Sequence, residues 1–178
     1  MNWRDAARLI EPALDGAGPS WADLGAGEGT FTRSLAHRLG SGGCVYAVER
    51  DESSLVALRA LAAQRDEGAE IVPMARDFTE PLDLPPLDGV LLANALHFVD
   101  AERQAALLRR LAASVGDGGR IVVVEYDDRP ASRWVPFPVS LDRLRALAAA
   151  AGIGEPREIG RRRSRYGGSM YAACCARA

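Results

Sequence analysis

Residues Trp21–Thr30 read W-A-D-L-G-A-G-E-G-T. A short apolar stretch ends in Asp23-Leu24, and glycines then alternate at 25, 27 and 29 around Glu28. Such a turn lets a strand pass sharply into a helix and brings backbone close to a ligand. Its amides, with the helix N-terminus behind them, favour a negative group. A dinucleotide loop has the spacing G-x-G-x-x-G. Here it is G-x-G-x-G, position 30 is Thr, and carboxylates sit before and inside the turn. Two acids beside a diphosphate in a partly dry site repel it.

Outward from that stretch, strand and helix patterns alternate. Ser20–Leu24 reads as a strand and Gly29–Leu39 as a helix with Phe31, Leu35 and Leu39 on one face. Strand patterns follow at Cys44–Glu49, Glu70–Ala75, Leu87–Ala93 and R-I-V-V-V-E ending at Glu125. Between them, Asp51 caps a helix expected to reach about Glu67, and Asp100 one expected to reach about Val115. Gly116–Gly119 is expected to be a turn, and Ser140 caps a helix to about Ala151. An N-terminal helix is expected over Asn2–Leu14, with residues 1–19 as a cap. The tail reads as two strands around Gly167-Gly168.

This order specifies a parallel sheet with helices on both faces. Pro73 places the third strand at an edge. Arg161–Arg163 and Arg165 place the penultimate strand at the opposite edge. The last strand, M-Y-A-A-C-C-A, is apolar on both faces, as an interior strand is. The expected fold is one domain over residues 1–178, a Rossmann-like α/β/α sandwich. Its sheet order is 3-2-1-4-5-7-6, with the last strand antiparallel.

Composition narrows the function. The chain has 178 residues, 48% of them hydrophobic, and a formal net charge of −2. No global field therefore favours nucleic acid or an anionic membrane. No apolar run approaches a membrane span, and the N-terminal residues carry charges and no signal core. A cytoplasmic protein is expected, and the arginine and alanine richness suggests a bacterial source. All 22 basic residues are arginine, which removes Schiff-base lysine chemistry and a Walker-type phosphate loop. Three cysteines, Cys44, Cys174 and Cys175, form no disulfide framework or zinc pattern, so no metal is expected.

A ligand with a positive centre and no phosphate resolves the acidic turn, and S-adenosylmethionine fits. Glu49 ends the second strand 49 − 27 = 22 residues after the middle glycine. That offset suits a carboxylate accepting ribose hydroxyls. Plainer readings stay open: a bare strand-to-helix turn, and a helix-start acid beside Arg50 and Asp51.

Together these stretches resemble a class I S-adenosylmethionine-dependent methyltransferase of the small Methyltransf-11/25-like kind, from about Ser20 to the last strand. D-L-G-A-G-E-G-T resembles the first motif and V-Y-A-V-E-R the second. A-R-D-F resembles the third, L-L-A-N-A-L-H-F-V the fourth and G-G-R-I-V-V-V-E the fifth strand. The resemblance implies a cofactor site of Asp23, Gly25, Ala26, Gly27, Glu49, Arg50, Asp77, Phe78 and Asn94. Glu49 would meet the ribose, Asp77 the adenine amino group, and the Phe78 amide the ring. Asp23 would organise the loop or reach the ammonium through water. Asp77 as a turn cap, Phe78 as core and Asn94 as a strand-end turn remain the plain alternatives.

For chemistry, His97 is the candidate general base, with Glu125 and Tyr126 second; the alternative for His97 is packing near Phe98 or the adenosine. The absence of an N/D-P-P-Y loop argues against exocyclic-amine chemistry. Trp3, Arg4, Arg8, Arg129, Arg133, Trp134 and Phe137 are the candidates to enclose a small acceptor, neutral or anionic, with residues 127–139 as a lid loop; the plain alternative is that they only cover the sheet's open end. An open pocket, a homodimer or a partner are the ways to complete it. The competing functions are a non-catalytic S-adenosylmethionine-binding protein and an NAD(P)-dependent reductase.

Overall fold

The computed structural model describes residues 1–64, 68–164 and 167–177. In chain order the elements are α1 (Trp3–Ile10), β1 (Ser20–Leu24), α2 (Thr30–Leu39), β2 (Cys44–Glu49), α3 (Glu52–Ala63) and β3 (Glu70–Ala75). Then come β4 (Leu87–Ala93), α4 (Gln104–Ser114), β5 (Val115–Tyr126), α5 (Leu141–Ala151), β6 (Arg157–Arg163) and β7 (Ser169–Ala176). Short 3-10 turns lie at Glu11–Ala13 and Leu96–Phe98.

The seven strands form one sheet in the order β3-β2-β1-β4-β5-β7-β6. Strands β1 to β5 pair in parallel, while β7 is antiparallel to both β5 and β6. This is the expected Rossmann-like order. Pro73 lies on edge strand β3, where a missing N–H costs no second ladder. Arg161–Arg163 lie on the opposite edge, β6.

Side-chain alternation sorts the layers. Val45, Leu91, Val122 and Val124 pack with α1 and α2, and Ala47 packs with α3. Val48, Val90, Leu92 and Val123 face the other way and pack with α4 and α5. In the centre, Trp21 is fully buried with its ring over Gly89, where any Cβ would lie 2.6 Å from it. Two bulky residues cannot face each other there, which accounts for the glycine in β4.

Several boundaries differ from expectation. Asn2 caps α1 by accepting from the Asp5 N–H, and the α-helix stops at Ile10 rather than Leu14. Pro12 has no N–H to continue the ladder and tightens the chain into the 3-10 turn. Helix α3 ends at Ala63, and residues 65–67 of its expected end lie outside the described residues. Asp100 does not cap α4: its carbonyl accepts from the Arg103 N–H in a separate turn, and the helix begins at Gln104. Gly116–Gly119 belongs to β5 as an irregularity, because pairing jumps from Leu87↔Val115 to Gly89↔Arg120. Arg165 lies outside the described residues, so its expected edge role is not addressed. No helix among the described residues is long and apolar enough to cross a membrane.

Candidate cofactor and acceptor cleft

A cleft of about 580 Å³ opens along the carboxyl rim of the sheet. The turn after β1, Glu49, Asp77, Asn94 and Tyr126 all line it, each at or just past the end of one of strands β1 to β5. Eight of the expected cofactor residues meet there: Gly25, Ala26, Gly27, Glu49, Arg50, Asp77, Phe78 and Asn94. Asp23 and His97 are not among its lining residues.

The glycine turn answers its own acids. The Gly25 and Ala26 amides donate to the Val48 carbonyl at 2.9 and 3.1 Å, and the Gly29 amide to the Ala26 carbonyl at 3.0 Å. The Gly27 amide donates to Glu49 Oε2 at 2.8 Å. Glu49 Oε1 also accepts from the Arg50 and Asp51 amides at 2.7 and 2.8 Å. The negative group that these turn amides are expected to favour is, for Gly27, a carboxylate of the protein itself. Glu49 is an anion the turn already holds, and this fixes its carboxylate at the cleft wall. With about four lone-pair sites on a carboxylate, three amides leave one on Oε2 open.

Gly25 has φ +74°, and a Cβ there would lie 2.8 Å from Ala95 Cβ and 3.2 Å from the Phe78 ring. Both the turn and the close approach of Phe78 thus require glycine. Asp77 Oδ1 accepts from the Thr79 amide and hydroxyl, and Oδ2 pairs with Arg50 at 2.9 Å. Partial burial alone would raise the Asp77 pKa, but the Thr79 hydrogen bonds and the Arg50 charge outweigh it and hold it below its ordinary value. Asn94 adopts φ +54°, a region asparagine tolerates. Its Oδ1 is buried with no hydrogen-bond partner among the described residues. An orphaned acceptor in a cleft wall is costly unless a ligand donates to it.

Asp23 lies behind the turn, 1% exposed, and accepts from Thr32 Oγ1 at 2.7 Å. Central strand β1 is covered on both faces, so its side chain is enclosed whichever way it points. It ties β1 to α2, which fits the loop-organising role and not contact with the cleft. Burial pushes its pKa up to about 7; Thr32 opposes this and the Glu49 charge adds to it. Because the folded value exceeds the unfolded one, the group favours the fold fully below about pH 4. That contribution is lost as pH rises through about 7. Chemical denaturation should thus show the wild type losing more stability than Asp23→Asn between about pH 4 and pH 8. Parallel curves would reject the assignment.

His97 is 2% exposed. Its Nδ1 lies 2.6 Å from Glu125 Oε2, and its backbone N–H donates to Glu125 Oε1 at 3.1 Å. Its ring packs against Phe98 and Tyr126, with centroids 4.3 and 6.2 Å away. The packing alternative is the one this placement favours. Of the second candidates, Glu125 is fully buried and Tyr126 lines the cleft.

The expected cover is corrected. None of Trp3, Arg4, Arg8, Arg129, Arg133, Trp134 or Phe137 lines the cleft. Trp3 packs edge-on to His37, with Arg4 and Arg33 over its ring. Arg133 covers the exposed Trp134. The 127–139 segment is pinned where the Phe137 amide meets the His97 carbonyl and the Leu141 amide meets Asp127. The wall instead includes Met1, Phe31, Phe98, Met170, Arg162 and Arg163.

One positioning residue escaped the sequence reading. Gln104 Nε2 donates to the carbonyls of Leu96, Val99 and Phe137, and its Oε1 accepts from Arg143. It holds the loop carrying Asn94 and Phe98. The signal was present: Gln104 falls on the buried stripe of Leu107, Leu108 and Leu111, a polar residue at an apolar position. Among the described residues, no group of three His, Cys, Asp or Glu could hold a metal.

Comparison with known proteins places this geometry. A family model described as a methyltransferase domain matches residues 22–119. The chain is 32% identical over 124 residues to a carboxy-S-adenosyl-L-methionine synthase of Pseudomonas putida (strain W619), a match over 67% of this chain and 48% of that protein. The chain thus spans about half the length of the curated relative it matches. Among solved structures, it is similar to a 1,6-didemethyltoxoflavin-N1-methyltransferase of Burkholderia thailandensis. That likeness has a TM-score of 0.75 and 21% identity, over 98% of this chain and 77% of the other. It is also similar to the CcbJ methyltransferase of Streptomyces caelestis, with a TM-score of 0.73 and 20% identity, over 97% and 94% of the two chains. At these identities the structural likeness speaks for the fold, and the family match over more than half of the sequence speaks for descent: the chain belongs to the methyltransferase-domain family.

Proposed function

We propose that the chain transfers the methyl group of S-adenosylmethionine to a small-molecule acceptor, releasing S-adenosylhomocysteine. The observation that carries this is the acidic glycine turn, four of whose amides are held inside the protein. The amides of Gly25, Ala26, Gly27 and Gly29 are engaged by Val48, Glu49 and Ala26, which weakens the turn as a diphosphate cradle, while Glu28, Glu49 and Asp77 outnumber Arg50 in that half of the cleft and give it a negative lining suited to a cation. Glu49 would accept from ribose, Asp77 from the adenine amino group, and Asn94 Oδ1 from the ammonium. Phe78 and Gly25 would bound the nucleoside. The cofactor, when bound, supplies a methyl group already activated by its sulfonium charge.

What the chain adds is orientation, worth up to roughly 7–11 kcal/mol in favourable cases. His97, turned toward Glu125 and buried, serves as a positioning residue; Tyr126 brings a phenol to the acceptor end of the rim. Residues 1–178 work as one domain, and a homodimer over the open acceptor end is one way to cover it. A reducing, cytoplasmic setting agrees with three free cysteines, and the arginine-rich composition with a bacterial cell.

A thermal-shift panel tests this. At a hundredfold excess over Kd, S-adenosylhomocysteine should add roughly 2.7 kcal/mol and raise Tm by roughly 5–11 °C. NADH should do nothing; the reverse pattern would favour the reductase reading. Labelled-methyl transfer into a metabolite extract then divides enzyme from non-catalytic binder. The carboxy-S-adenosyl-L-methionine synthase relative adds a second product to seek in the same assay, a carboxylated cofactor detected by mass.

A further inference from the structure

The two halves of the cleft differ in charge, and the difference comes from sheet topology. Because β7 is antiparallel to β5, and β6 to β7, strand β6 runs in the same direction as β5. Its carboxyl end therefore arrives on the rim where the other parallel strands end. Register then sets Tyr126 beside Met170 and Met170 beside Arg162, with Arg163 beside Ser169. An arginine run that reads as a solvated edge strand becomes, at its last two residues, a wall of the cleft.

That wall is cationic, and large apolar side chains stand beside it. Arg162 meets Asp5 at 3.4 Å through one nitrogen. Arg163 is exposed, and no ion pair engages it among the described residues. Of the acids near this strand end, Asp127 pairs with Arg161 at 2.6 Å, and Asp128 accepts a hydrogen bond from the Ser169 hydroxyl. In the sheet order, Phe98 after β4, Tyr126 on β5 and Met170 on β7 come between the glycine turn and the arginines, and Met1 and Phe31 also line the cleft. Phe98 is 54% exposed, a large apolar side chain at the cleft with no cover.

We propose that the acceptor is an aromatic acid, its apolar body on Phe98, Tyr126 and Met170 and its carboxylate on Arg163, with Arg162 beside it. A guanidinium suits a carboxylate because its planar fork offers two parallel N–H donors. The acidic half of the cleft repels the same anion, so the charge pattern also sets which end of the acceptor enters. This rests on the methyl-transfer reading and names the substrate class for it.

The probes are a fragment set of aromatic carboxylic acids, each paired with its primary amide, titrated into the full chain with and without S-adenosylhomocysteine. Acids should bind about tenfold more tightly than their amides. Arg163→Gln should bring that ratio close to one while leaving the S-adenosylhomocysteine thermal shift intact. Arg157→Gln, the same charge change at the far end of β6, should leave the ratio unchanged. Acids that bind no better than amides, including the case in which neither binds, overturn the inference, as does a preference that survives Arg163→Gln. A missing S-adenosylhomocysteine shift overturns the cofactor reading instead, and the acid-to-amide ratio is still read without it.

Discussion

Replacing Glu49 with alanine is expected to weaken S-adenosylhomocysteine binding at least roughly a hundredfold, about 2.7 kcal/mol, and so to erase the thermal shift. Two losses combine. The carboxylate is the group expected to accept from the ribose. It also anchors the turn, since Gly27, Arg50 and Asp51 all donate their amides to it. Hydrogen bonds to a charged group contribute about 1.5–3 kcal/mol each when partly sheltered. Without Glu49, the Gly27 amide has no acceptor, and the turn is held to β2 only through the Gly25 and Ala26 amides on Val48. Glu49→Gln keeps the shape but offers an NH2 group where an oxygen accepted, so it should also bind poorly. Isothermal titration reads both variants, and an affinity within threefold of wild type for Glu49→Ala would remove the central element of the site.

Glu125→Ala should be the most destabilising substitution at the rim. Glu125 is fully buried and His97 nearly so, and the carboxylate receives both the imidazole Nδ1 and the His97 amide. Removing one member of a buried pair costs about 3–5 kcal/mol, because the other is left unpaired away from water. For a chain of this size that lowers Tm by roughly 6–20 °C. His97→Ala should destabilise in the same direction, and the double variant should cost less than the sum of the two. If instead His97→Ala kept its Tm while turnover fell along with an acid limb of the pH–rate profile, the histidine would be a base after all. The position of the pair explains the first expectation: it joins β5 to the turn carrying Phe98, with Tyr126 against the ring, so it braces that wall of the cleft from behind.

Much of the architecture was legible from local chemistry. Period-2 and period-3.6 apolar patterns alternate along the chain, and each pattern needs only nearby residues to be recognised. Pro73 marks an edge because it lacks a donor, wherever it folds. The same locality explains the errors. Pro12 shortens α1 and the 100–103 turn delays α4, effects of one or two residues that periodicity averages over. Composition marks Trp3 and Trp134 as candidates for cover, yet their rings pack with His37, Arg33 and Arg133 instead.

By itself the sequence determined the α/β class, the strand order with its antiparallel β7, and the residues gathered in the cleft from Gly25 to Asn94. These follow from chain connectivity, because parallel strands joined by helices deliver all their carboxyl ends to one rim. Packing alone encloses Asp23 and His97, turns the glycine amides to Val48 and Glu49, and brings Arg162 and Arg163 to the cleft wall. Burial and register depend on what packs across from a residue, and that partner is distant in sequence: Glu49 lies 22 residues from Gly27, and Glu125 lies 28 from His97.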